Sequence, residues 1–170
     1  PYAHYAPGTF FIKGIEGTIT GFLVKYLTKT KQKTRMLIGI GSAIFVLIFF
    51  LIVGRNGIAI ALEISNFSFH GFIPSYLVFT LAGLLSLALG FLGMRADDTS
   101  LMALACLIGG VEMVLGYFLY EAIVLGYGWI AVMEIPINYG QSIIGTALAI
   151  PVVKTLREMG ALAASEESMG

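Results

Sequence analysis

Met36-Leu-Ile-Gly-Ile-Gly-Ser-Ala-Ile-Phe-Val-Leu-Ile-Phe-Phe-Leu-Ile-Val53 is a run of eighteen residues without a single charge. At 1.5 Å of helical rise per residue such a run covers ~27 Å, close to the ~30 Å hydrocarbon core of a bilayer. Immediately before it, Lys25, Lys29, Lys31, Lys33 and Arg35 crowd one short stretch. Four more apolar segments lie outward from this pair of features, at 8–27, 73–94, 100–127 and 137–153. The pattern predicts an all-α fold, a polytopic transmembrane bundle of about five membrane-spanning helices.

Composition points the same way. The chain is 58% hydrophobic and 12% charged, against roughly a quarter charged in soluble globular domains. Its formal net charge is zero, which implies neither a nucleic-acid partner nor a strongly acidic or basic one. No grouping of Cys and His suggests a metal, and no cofactor is predicted. Cys106 is the sole cysteine, so it forms no internal disulfide and reads as inert packing.

Charge placement sets an orientation. Alternate crossing puts eight of the ten Lys and Arg on one face: Lys25, Lys29, Lys31, Lys33, Arg35, Arg95, Lys154 and Arg157. Cytoplasmic loops carry the excess of Lys and Arg, so the N-terminus is expected outside and the C-terminus in the cytoplasm. The localisation that follows is the cell membrane, multi-pass, in a prokaryotic plasma membrane. Residues 1–160 read as one transmembrane domain, and 161–170 as a short, disordered cytoplasmic tail. Pro1 to Pro7 lacks a signal-peptide shape, and the expectation is that further helices precede it.

Along the chain, Thr9 is placed to cap the first segment. Gly17 and Gly21 form a small-x-x-x-small pair that predicts a close neighbouring helix, and Gly109 and Gly116 are expected at a helix contact on the fourth segment. The second and third segments are bland and read as a helical hairpin. Between them, 54–72 carries Glu63, Asn66 and His70 and is too polar to span; its Ile, Leu and Phe content reads as an interfacial or re-entrant element on the outer face. Trp129 suits a headgroup-level anchor, Pro136 a helix start, and Pro151 a weak point near the cytoplasm.

The expensive polar groups fall in the outer halves of segments one, four and five. Lys13, Glu16, Gly17 and Thr20 share a face, and Lys13 and Glu16 can pair; Tyr117, Tyr120 and Glu121 share another; Asn138 and Gln141 are three apart. A carboxylate facing lipid costs ~2.5–3.5 kcal/mol at a helix centre on insertion scales, so these groups are expected to face one another in a cavity opening outward. Plainer readings stand beside this one. Lys13 can snorkel, Tyr120 and Tyr127 can sit in an aromatic belt, Asn138 and Gln141 can glue helices, and Glu121 can be solvated. Glu112, nine residues before Glu121, is expected on the opposite face beside Gly109 and Gly116, at a helix contact.

His4-Tyr5-Ala6-Pro7-Gly8-Thr9-Phe10-Phe11-Ile12-Lys13-Gly14-Ile15-Glu16-Gly17, followed by Gly21, resembles a region of the membrane-embedded S components of energy-coupling-factor vitamin transporters. Gly116-Tyr117-Phe118-Leu119-Tyr120-Glu121 is similar to their penultimate helix. Glu134-Ile135-Pro136-Ile137-Asn138-Tyr139-Gly140-Gln141, followed by Gly145, is similar to the start of their last. The resemblance implies a six-helix substrate-capture subunit that takes a vitamin or related small molecule from outside. It also implies partners: a transmembrane coupling subunit, two cytoplasmic ATPases and surrounding membrane lipid. Substrate-binding roles would fall to Lys13, Glu16, Tyr117, Tyr120, Glu121, Asn138 and Gln141. The family's front helices have no counterpart here, and segments two and three stand as an extra helical hairpin.

No phosphate-binding G-x-x-x-x-G-K-[ST] motif is present, so ATP hydrolysis would come from partners. The chain is not expected to be an enzyme, because Glu112, Glu121 and His70 form no usable acid–base or nucleophile arrangement. The alternative is a structural or accessory transmembrane subunit of a larger complex, without solute binding.

Overall fold

The structure, a computed structural model, describes residues 3–64 and 67–160. Five long helices dominate: α1 (Ala6–Lys29), α2 (Gln32–Val53), α3 (Ser75–Met94), α4 (Asp98–Leu119) and α5 (Ile135–Glu158). Each agrees with an apolar segment of the sequence to within about two turns at either end. The predicted tail at 161–170, and Asn66, lie outside the described residues.

Local chemistry explains the boundaries. α1 opens with Pro7 in its first turn, where a missing N–H costs nothing. The cap position is Tyr5, so Thr9 lies inside the helix and does not cap it. Asp97 caps α4, its carboxylate accepting from the Ser100 N–H at 3.0 Å and from the Ser100 hydroxyl at 2.8 Å. Those two bonds hold the Asp97 carboxyl below its usual range. α5 carries Pro136 at its start and runs unbroken through Pro151 to Glu158.

Three of these helices are long and apolar enough to cross a membrane: Gln32–Val53, Ser75–Met94 and Asp98–Val124, with mean hydropathies of 2.9, 2.2 and 1.9. Large apolar side chains such as Ile52 (64% exposed) and Leu87 (72%) point away from the protein. Contiguous apolar exposure of this kind belongs against an apolar solvent. These observations mark a membrane protein. α1 and α5 match the others in length, but Lys13 and Glu16 on one and the polar start of the other make them less apolar.

α2 and α3 pack as the expected antiparallel hairpin. A Cβ added at Gly39 would fall 2.9 Å from the Gly93 Cα, and one at Gly93 would fall 2.9 Å from the Gly39 Cα. Ser86 donates to the Ala43 carbonyl at 3.0 Å, which satisfies a buried hydroxyl within the pair. α4 is the central helix, lying against α1, α3 and α5. Its Leu104, Ala105, Met113 and Val114 are fully buried.

Polar contacts gather the basic residues at one end. Arg35 donates to the carbonyls of Leu27 (2.7 Å) and Thr28 (3.1 Å), and the Gln32 amide donates to the Met94 carbonyl. Arg157 reaches Asp98 at 3.8 Å. The ends of α1, α3 and α5 therefore meet the starts of α2 and α4.

The opposite end departs from an all-α fold. Residues 54–72, expected as an interfacial or re-entrant element, hold two antiparallel strands, β1 (Ile58–Ile64) and β2 (Phe67–Ile73), paired from Ile58↔Ile73 to Ile64↔Phe67. The reason is the two-residue alternation of Ile58-Ala59-Ile60-Ala61-Leu62-Glu63-Ile64, a strand period with branched residues at alternate places. Gly57, at φ +78°, turns the chain from α2 into β1 in a conformation that side chains resist. The side chains of residues 60–70, Glu63 and His70 among them, lie outside the description. β1 rests on a 3₁₀ helix, Gly128–Glu134, that leads into α5.

Between α4 and that 3₁₀ helix the chain makes one π-helical turn, Tyr120–Val124, in which the Leu125 N–H reaches back five residues to the Tyr120 carbonyl at 3.0 Å.

Candidate solute groove

Lys13 donates to Glu16 Oε2 at 2.9 Å, so the two charges on α1 meet as their spacing allows, and the Lys13 ammonium also touches the Met113 sulfur of α4. Both line a groove of about 660 Å³ with α1 and α5 as walls and Met102 and Cys106 of α4 as floor. On the α5 wall stand Gln141, Gly145, Ala149, Val153 and Arg157, four residues apart throughout, which is the spacing of one helix ridge. Thr20, Ser142 and Thr146 add hydroxyls.

The groove is where Gly17 and Gly21 belong. A Cβ on either would meet nothing within 4 Å, so the close helix approach expected of them is corrected: they leave space. The close approaches come from α4. At Gly109 a Cβ would collide with the Thr20 hydroxyl and lie 3.3 Å from the Glu16 carbonyl; at Gly110 it would collide with Ser142; at Gly116 it would lie 3.1 Å from Ile12.

The seven residues expected to share one outward cavity are divided. Lys13, Glu16 and Gln141 line the groove, which runs along the bundle to Arg157 at the basic end. Tyr117 is buried in the core. The Tyr120 ring covers Gly8, where a Cβ would fall 2.6 Å away, and its hydroxyl donates to the His4 carbonyl at 2.8 Å. It ties the start of the chain to the end of α4. Asn138 is half-buried and sits one turn beyond the groove. Glu121, 2% exposed, lines a separate cleft with Tyr5, Tyr127 and Glu134. Burial pushes the Glu134 carboxyl up; burial, then the Glu121 charge, pushes the Tyr5 phenol up.

Glu112 is half-buried in a crevice between α2 and α4, beside Gly41, Ser42 and Gly116, apart from the groove. Its Oε2 has no hydrogen-bond partner among the described residues. Thr20 lines the groove on the same face as Lys13 and Glu16, as its spacing implies, whereas Ser142, Thr146 and Cys106 were not anticipated as lining. The four-residue recurrence of small and polar side chains from Gln141 onward was the available signal, and Cys106 offered none. No family model, curated protein or solved structure matches the chain.

Proposed function

We propose that this chain is the substrate-binding integral membrane subunit of an ATP-driven importer of the energy-coupling-factor kind, set in the cell membrane with its basic end in the cytoplasm. Five helices would then span, with α1 and α5 turning their polar faces inward. A coupling subunit and two ATPases would supply docking and hydrolysis. One observation carries the reading: Lys13 and Glu16 from the start of the chain and Gln141 from near its end line one groove of about 660 Å³. That size falls within the range of small-molecule sites, ~300–1,000 Å³. The groove walls, α1 and α5, also bear two of the three blocks that resemble the S components.

A second reading, an accessory subunit whose groove holds a partner's helix, draws support from the groove's long exposed side, where Gly17, Gly21, Gly145 and Ala149 lie open. Native mass spectrometry of the purified protein separates the two. A retained small molecule, displaced in Gln141→Ala, supports capture of a solute. A second protein held at fixed stoichiometry, with no small molecule, would sink the first reading in favour of the second. Orientation is checked with cysteines introduced at Gln32 and Trp129 in a Cys106→Ala background. An impermeant reagent on intact cells should label position 129 alone.

A further inference from the structure

We propose that the cleft formed by Tyr5, Glu121, Tyr127 and Glu134 is a binding site for a compact organic ammonium group. The cleft, of about 190 Å³, lies at the end of the bundle away from the basic loops and is separate from the groove. Two carboxylates line it, and among the described residues no Lys or Arg does. Glu121 is 2% exposed, and its Oε2 is buried without a hydrogen-bond partner among the described residues. Neither carboxylate forms an ion pair among those residues. A buried carboxylate lacking a counter-charge is costly, and a second one in the same cleft adds to the cost. A bound cation relieves both.

The lining selects the kind of cation. Among the described residues no three His, Cys, Asp or Glu stand close enough to hold a metal ion. Tyr5 and Tyr127 instead add aromatic side chains, Tyr5 being hydrogen-bonded to Glu121, and Ile130, Ala131 and Met133 add apolar wall. Carboxylates with aromatic faces are the composition that receives alkylammonium groups, through charge and cation–π attraction together. Among the described residues the other titratable neighbours are Tyr120, whose ring lies 6.5 Å from that of Tyr5, and His4, whose Nε2 lies 3.4 Å from the Tyr127 hydroxyl at the rim. The ammonium could belong to a free solute or to a lipid headgroup.

Trp129 is the only tryptophan in the chain and lies on the 3₁₀ helix that forms one wall, so its fluorescence reports on the site. The full-length protein in detergent is titrated with tetramethylammonium chloride, with potassium chloride and the neutral isostere neopentyl alcohol as controls. The expected result is a saturable change with tetramethylammonium alone, its midpoint raised at least ~tenfold (~1.4 kcal/mol) in Glu134→Gln and in Glu121→Gln. Glu134→Gln, at the less buried carboxylate, keeps the test decisive if Glu121→Gln does not fold. An equal response to potassium or to the alcohol, no response at all, or an unchanged midpoint in a folded Glu134→Gln overturns the proposal. Nanodiscs tell the sources apart. A midpoint higher in phosphatidylcholine than in phosphatidylglycerol supports a lipid ammonium as the native occupant, and equal midpoints support a free one.

Discussion

The α2–α3 pair and the α1–α4–α5 group use the same residue type for opposite ends. In the pair, Gly39 and Gly93 bring two backbones into contact, and a Cβ on either meets main-chain atoms within 3.0 Å. In the group, Gly109 and Gly110 of α4 also make close contacts, but Gly17, Gly21 and Gly145 on the groove walls meet nothing among the described residues. Hydrogen bonding divides likewise. The pair closes on itself through Ser86, whereas the group leaves Lys13, Glu16 and Gln141 along a groove. The pair is packed to hold together, and the group holds together along α4 while leaving room between α1 and α5.

The contrast is most severely tested by Gly93→Leu. Its Cβ would press on the Gly39 Cα and the Arg35 carbonyl, neither of which moves without shifting a helix. The expected loss is ~3 kcal/mol or more, read as a collapse of thermal stability in detergent. Survival at wild-type stability would mean that the helices are not in backbone contact. Next comes Gln141→Ala, expected to weaken solute binding by ~1–3 kcal/mol without changing the melting temperature. Asn138→Ala, one turn beyond the groove, should leave binding unchanged; equal losses in both would extend the site past its drawn limit.

Ser86→Ala removes one hydrogen bond inside the pair and should cost ~0.5–1 kcal/mol of stability, near the average for bonds between membrane helices. The smallest change in stability is expected from Gly17→Leu, within ~0.5 kcal/mol, since its side chain enters empty space. That variant should nonetheless slow maleimide labelling of Cys106 on the groove floor, because the leucine occupies the approach. Destabilisation comparable to Gly93→Leu would make the groove a closed contact.

The five helices were legible because an apolar run of about twenty residues, broken by few charges, has few other fates in a chain with so apolar a composition. The hairpin at 58–73 was not, because its apolar content outweighed its two-residue alternation. Gly17 and Gly21 show a deeper limit. A missing side chain serves a tight contact and an open groove equally, and only the position of the neighbouring helix decides between them. Lys13 and Glu16 could be paired from their spacing alone, because both ends of that contact lie on one helix. Joining them to Gln141 and excluding Tyr117 and Asn138 required the packing of α1 and α5 around α4. Glu121 fell into a separate cleft whose other walls, Tyr5 and the 3₁₀ helix, come from segments that helical arithmetic along α4 could not place.

The π turn at Tyr120–Val124 makes chain length itself a determinant of that cleft. A five-residue reach in place of four means one residue more than an α-helix would use, and each residue advances the helix by ~100°. Removing Ala122 would leave Tyr5, Glu121, Tyr127 and Glu134 all present in the sequence. The segment carrying Tyr127 and Glu134 would then leave the helix about a quarter turn away from where it now departs. The same four side chains would no longer meet, so a single-codon deletion that spares every one of them should abolish the cleft, a larger loss than the weakened binding expected of Glu134→Gln.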